Sequence, residues 1–164
     1  MSLADPGADA AADDIVVERI APTDAGEVLT VQRAAFASEA VIYGDPDIPP
    51  LTQTLEQLEA ELEDADGWVA RIGGRLVGAI RTRESDGLLV IGRIAIAPDV
   101  QGRGIGARLL DMAETHSGAR EAELFTGSLS GANIRLYERC GYAETERIDQ
   151  GDGTAQVFMR KRLR

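Results

Sequence analysis

The chain has one cysteine, one histidine and one tryptophan, and aromatic side chains make up only 4% of its 164 residues. A lone Cys140 can form neither an intrachain disulfide nor a thiolate cluster, so no metal is expected. No apolar run approaches the roughly 20 residues that cross a bilayer. Residues 1–14, mainly Ala, Asp and Gly, lack the basic start and apolar middle of a secretory signal. They are expected to form a flexible leader, with residues 15–164 as a single domain. The expected location is cytoplasmic, with no membrane partner. Basic residues are scarce as well. Seventeen Lys and Arg against 28 Asp and Glu leave a net charge of -11, which argues against a nucleic-acid partner, because phosphate binding needs a basic surface. The shortage is local. Between Ala34 and Ala70 there is no Lys or Arg, while Glu39, Asp45, Asp47, Glu56, Glu59, Glu61, Glu63, Asp64 and Asp66 crowd the stretch. That pattern fits a solvated acidic helix face, or an acidic mouth that attracts a cationic substrate.

What remains is ample for a core, since 44% of the residues are hydrophobic. Ile15 to Ile20 reads as a strand. Pro22-Thr23-Asp24 opens a helix whose apolar positions run from Ala25 to Phe36 at helical spacing. Gly44, Pro46, Pro49 and Pro50 break the stretch from Val41 to Pro50 into an irregular loop. Thr52 or Thr54 caps a second helix with Leu55, Leu58 and Leu62 on its apolar side. Gly67 to Ile72, Arg75 to Arg83 and Leu88 to Ala97 are strands joined by Gly73-Gly74 and Ser85-Asp86-Gly87 turns. A helix from about Gly104 to Ser117, a strand Glu121 to Thr126 and a helix Gly131 to Arg139 follow. Strands Tyr142 to Asp149 and Thr154 to Arg162 close the chain. The order βααβββαβαββ describes an α/β domain built on one mixed sheet with helices on both faces. Parallel strands are expected across the helix after Pro98 and across the one before Cys140.

Gln101-Gly102-Arg103-Gly104-Ile105-Gly106-Ala107 lies between an apolar strand and an amphipathic helix. Glycines let the backbone approach a ligand and adopt positive φ. Amides at a helix N-terminus suit a phosphate, and Arg103 adds charge. A nucleoside-triphosphate loop would need a Lys after the glycines, and none is there. Gly102, Gly104 and Ala107 fit the dinucleotide fingerprint, but its first glycine abuts the strand, whereas Pro98-Asp99-Val100-Gln101 intervenes here.

Pro98-x-x-Gln101-Gly102-Arg103-Gly104-Ile105-Gly106 resembles the acetyl-CoA signature of the GNAT superfamily of N-acetyltransferases. Ser130-Gly131-Ala132-Asn133-Ile134-Arg135-Leu136-Tyr137-Glu138-Arg139-Cys140-Gly141-Tyr142 is similar to that family's penultimate helix and following strand. The resemblance covers roughly residues 15 to 162 and implies a V-shaped opening between two central parallel strands. It implies acetyl-CoA as co-substrate. The backbone of Ile94, Ala95 and Ile96 would hold the pantetheine arm, the loop Gln101, Gly102, Arg103, Gly104, Ile105, Gly106 and Ala107 the pyrophosphate, and Asn133 would reach the arm.

The function implied is transfer of acetyl to a primary amine of a small molecule or peptide by direct attack. Such a reaction removes a proton from an amine of pKa about 10.4 and returns one to a thiol of pKa about 8.5. Tyr137 matches the family's general acid. The family's glutamate base falls on Val90 here, which leaves Glu84 and Asp86 beside the strand turn as candidates, with Glu84 the one taken as catalytic. Tyr43, Asp45, Asp47 and Arg93 are the candidate acceptor-binding residues. His116 is read as a helix cap or a surface residue and Cys140 as unreactive, having no histidine partner. A non-catalytic acyl-CoA-binding module and transfer of a longer acyl group are the alternatives. The chain itself would be a monomer or a homodimer.

Overall fold

The computed structural model describes residues 14–164, so the expected leader lies outside the described residues except for Asp14. The elements in chain order are β1 (Ile15–Arg19), α1 (Ala25–Tyr43), α2 (Pro49–Thr52), α3 (Leu55–Asp64), β2 (Asp66–Ile72), β3 (Arg75–Ser85) and β4 (Leu88–Ile96). They continue as α4 (Ile105–Thr115), β5 (Glu121–Gly127), α5 (Gly131–Arg139), β6 (Ala143–Asp149) and β7 (Ala155–Arg162). Two boundaries differ from expectation. α1 runs on through Val41, Ile42 and Tyr43 and stops at Gly44, whose φ of 64° caps it in the left-handed conformation. Pro49 and Pro50 then occupy the first positions of a one-turn helix instead of a loop, because proline at a helix start removes no needed donor.

One seven-stranded sheet, in the order β1-β2-β3-β4-β5-β7-β6, carries the molecule. β3 is its centre: every residue from Leu76 to Thr82 is buried. Its Gly78 side faces Ile105 and Leu109 of α4. Its Arg81 side faces α1 and α3. Among the described residues β4 and β5 are the single parallel pair. The second expected parallel pairing is absent, because the turn after β6 folds β7 back against it and β7 then pairs with β5, coming between the two. Among the described residues no helix is long and apolar enough to cross a membrane.

A buried polar cluster fastens the α1–α3 layer to the sheet. Arg81 is 3% exposed and Gln32 fully buried. The Arg81 guanidinium donates to Glu61 Oε1 at 3.0 Å, to Gln32 Oε1 at 3.0 Å and to Gln53 Oε1 at 3.4 Å. Gln32 Nε2 donates in turn to the Pro50 carbonyl at 2.9 Å and to Gln53 Oε1 at 3.1 Å. Desolvation pulls the Arg81 pKa down, and the Glu61 charge opposes it. A buried cation with each of its three nitrogens hydrogen-bonded is tolerable, whereas removing it strands Glu61 and Gln32. Arg81→Met is therefore expected to lose about 3 kcal/mol of unfolding free energy in urea. Arg75→Ala, which breaks the exposed Arg75–Asp99 pair, is expected to leave the urea midpoint unchanged.

Candidate active-site cleft

β4 and β5 pair only over Leu88–Glu121, Leu89–Ala122 and Val90–Glu123. Beyond Val90 and Glu123 the two strands part, although β4 continues to Ile96 and β5 to Gly127. A cleft of about 800 Å³ opens there. Its lining joins the two faces of the sheet: Phe36 and Glu39 of α1, Ile94 and Ile96 of β4, the turn before α4, and Asn133 and Tyr137 of α5.

The turn is built for close approach. Gly102 and Gly104 hold φ values of 82° and 78°, a region that costs other residues strain. Gly104 is also the N-cap of α4 and supplies no side chain to the first-turn amides. Those amides, at Ile105, Gly106 and Ala107, thus remain available at the positive end of an 11-residue helix. Gln101 lines the cleft while its Nε2 donates to the Ile96 carbonyl at 3.3 Å, tying the turn to the strand edge. Arg103 is exposed and does not line the cleft. Ala95 is buried at 3% exposure and points away from it.

Tyr137 is 7% exposed and lines the cleft, and no hydrogen bond within the described residues occupies its hydroxyl. Burial, and secondarily the charge of Glu39, hold the phenol well above its ordinary pKa. Cys140 lines the same cleft, and burial pushes its thiol up too, which keeps it a thiol rather than a nucleophilic thiolate.

Glu39 was not among the candidate catalytic residues, yet it is the one carboxylate that lines the cleft among the described residues. Its Oε2 accepts from Ser130 Oγ at 2.7 Å and its Oε1 from Asn133 Nδ2 at 3.4 Å. Gln32, Phe36, Glu39 and Tyr43 recur at four- and three-residue steps, so they form one stripe along α1. That stripe was readable, but only with α1 extended through Tyr43. Tyr43 closes it: its hydroxyl bonds Ser130 Oγ at 2.7 Å and accepts the Leu129 amide at 3.1 Å. The phenol sits where a side chain at Gly127 would be, so only glycine fits there.

Other candidates fall elsewhere. Glu84 is at the far end of β3, and its Oε2 accepts from Ser117 Oγ at 3.0 Å, outside the cleft. The hairpin register pairs Glu84 with Leu89, below the point where β4 and β5 part, and this takes it away from Tyr137. Asp45 and Asp47 are exposed and make a local turn, Asp45 Oδ1 accepting the Asp47 amide at 2.9 Å. They too are absent from the cleft lining. Arg93 is half-buried on β4 next to Ile94, with a φ of 51°. His116 caps α4 through the Met112 carbonyl at 3.0 Å and packs against Trp68.

A model of the acetyltransferase (GNAT) domain matches residues 46–163. The protein is 30% identical over 132 residues to the UPF0157 protein YqkA of Bacillus subtilis (strain 168), covering 80% of this chain and 38% of that one. It is 31% identical over 157 residues to the mycothiol acetyltransferase of Tsukamurella paurometabola, covering 85% of this chain and 52% of that one. The chain therefore spans about two fifths and about half of the length of these curated relatives. The PaiA N-acetyltransferase of Thermoplasma acidophilum, solved in complex with coenzyme A, superposes with a TM-score of 0.73 over 90% of this chain and 98% of its own, at 18% identity. That last likeness is one of fold.

The buried phenols make the fold sensitive to alkali. Tyr142, whose hydroxyl donates to Glu114 Oε2 at 2.9 Å, is held above the usual phenol range by burial, as Tyr137 is. In the unfolded chain both ionise near pH 10, and in the folded chain only at higher pH. Their contribution to stability is thus full below about pH 10 and falls as pH rises beyond it. The thermal unfolding midpoint is expected to hold between about pH 7 and 9 and drop above about pH 10, more gently in Tyr142→Phe.

Proposed function

The chain belongs to the GNAT acetyltransferase family, and from that premise we propose that it is an N-acetyltransferase. In this reading it moves acetyl from acetyl-CoA to a primary amine of a small molecule or peptide. The observation that carries the reading is Tyr137: a buried phenol, without a hydrogen bond among the described residues, facing the cleft that opens where β4 leaves β5.

The residues divide the work by position. Uncapped amides at the start of α4 and the glycine turn before it hold the pyrophosphate. The edge of β4 at Ile94, Ala95 and Ile96, unpaired with β5, receives the pantetheine arm as a neighbouring strand would. Asn133 supports the arm from α5. One β4 amide polarises the thioester carbonyl, as an oxyanion donor does. Glu39 holds the amine and takes up its proton as the C–N bond forms. The C–S bond then breaks, and Tyr137 gives its proton to the departing sulfur. The raised phenol pKa keeps Tyr137 protonated until the thiolate departs.

Acetyl-CoA-dependent thiol release against a panel of amines, amino acids and peptides tests the proposal. Tyr137→Phe is expected to lower kcat by about 10²-fold with the KM for acetyl-CoA unchanged. Glu39→Gln should lower kcat/KM for the amine by about tenfold or more. Glu84→Gln should match the unaltered protein. Full activity in Tyr137→Phe would remove the phenol from the mechanism.

A further inference from the structure

Across the middle of the sheet β4 carries one more residue than β3. Ala79 pairs with Ala95 and Arg81 with Gly92, so Arg93 and Ile94 together oppose Ile80. This is a β-bulge, a device that re-aims side chains next to binding sites. Arg93 sits in it with a φ of 51°, a strained conformation for a non-glycine residue that persists where the surroundings enforce it. Asp86, in a solvent-facing turn, is the other non-glycine residue with positive φ among the described residues.

The surroundings of Arg93 are short of negative charge. It is half-buried, and desolvation lowers its pKa, with Glu61 as the one opposing charge. That carboxylate is already engaged, since Glu61 Oε1 accepts from Arg81 at 3.0 Å and Oε2 from Gln53 at 2.7 Å. Arg81 also repels Arg93. Two guanidiniums thus share one carboxylate, and Arg81 takes it. No hydrogen bond or ion pair among the described residues satisfies the Arg93 guanidinium, and none of its nitrogens is fully enclosed. Arg93 is not itself part of the cleft lining, but its neighbour Ile94 is, so five donors in a planar fork lie, partly desolvated, beside the cleft within one residue of its wall. A planar carboxylate is the group that such a fork binds bidentately.

We propose that the acceptor is an amine that also carries a carboxylate, and that Arg93 at the bulge of β4 binds that carboxylate. Resting on the acyl-transfer reading, the inference narrows its acceptor from amines in general to amino acids and molecules like them. Glu39 and Arg93 then supply opposite charges for the two ends of a zwitterion. The acids Asp45, Asp47, Glu56, Glu59, Glu63 and Asp64 are exposed, whereas Arg93 is half-buried beside the cleft wall.

The test is binding without turnover. Protein with and without coenzyme A is titrated calorimetrically with N-acetyl-L-alanine, N-acetyl-L-phenylalanine and N-acetyl-L-glutamate, each beside its α-carboxamide. At least one acid is expected to bind about tenfold or more tightly than its amide. Arg93→Asn, which keeps a residue that tolerates the left-handed backbone, should abolish the preference without changing coenzyme A affinity. Arg93→Lys should keep part of it. Equal binding of acids and amides, binding of neither, or a preference that survives in Arg93→Asn would overturn the inference. Thiol release from acetyl-CoA is scored separately with the free amines, so its absence would count against the transfer reading and leave the Arg93 result to stand on its own.

Discussion

Three residue pairs hold the two halves of the sheet together, and the rest of the site follows from their being so few. Had β4 and β5 stayed paired to their ends, the main-chain edges at Ile94 and Ile96 would be spent on each other, and no passage would link the faces of the sheet. Because they part after Val90 and Glu123, residues of α1 on one side and of α4 and α5 on the other reach a common space. The bulge at Arg93 works in the same direction, since an inserted residue bends its strand and sharpens the local twist. A sheet that parts needs reinforcement on both sides of the gap. α4 packs Leu109 and Leu110 into the core, each worth roughly 1.5–3 kcal/mol on burial. On the opposite face the Arg81 cluster ties three helical segments to β3.

The distribution of charge reads differently once it has positions. The acid-rich stretch is mostly solvated: Glu56, Glu59, Glu63 and Asp64 form the outer side of α3, with Leu58 and Leu62 on its buried side, and Asp45, Asp47 and Asp66 are exposed outside that helix. Two of its acids leave that pattern. Glu61 turns inward to neutralise Arg81, and Glu39 turns into the cleft from α1. Net charge said little about either, because each is defined by the one partner it meets.

Local patterns carried most of the fold. The strand and helix order, the glycine turn and the Tyr137 helix are all written in contiguous residues whose spacing fixes their geometry. What stayed hidden is non-local. β7 enters between β5 and β6 because a hairpin specifies its own two strands and not the outer edge that the second strand will find. Glu39 meets Ser130 across 91 residues of sequence, and nothing near either residue announces the other. Glu84 looked suitable because it is close in sequence to β4, but the antiparallel register carries it to the joined end of the strands. Gly92 and Arg93 interrupt the apolar run of β4 at the bulge, but neither the positive φ of Arg93 nor its missing counter-charge follows from that interruption.

The bond from Tyr43 to Ser130 spans the open end of the parted strands and exists because position 127 carries a hydrogen atom in place of a side chain. α1 thereby becomes a gauge. Its 19 residues rise about 28 Å, and its length, as much as any strand, sets how far apart the half-sheets stand at the aperture. Such a gauge reads in discrete steps. One residue added near the start of the helix would turn its end by about 100°, swinging both Glu39 and Tyr43 off their marks together.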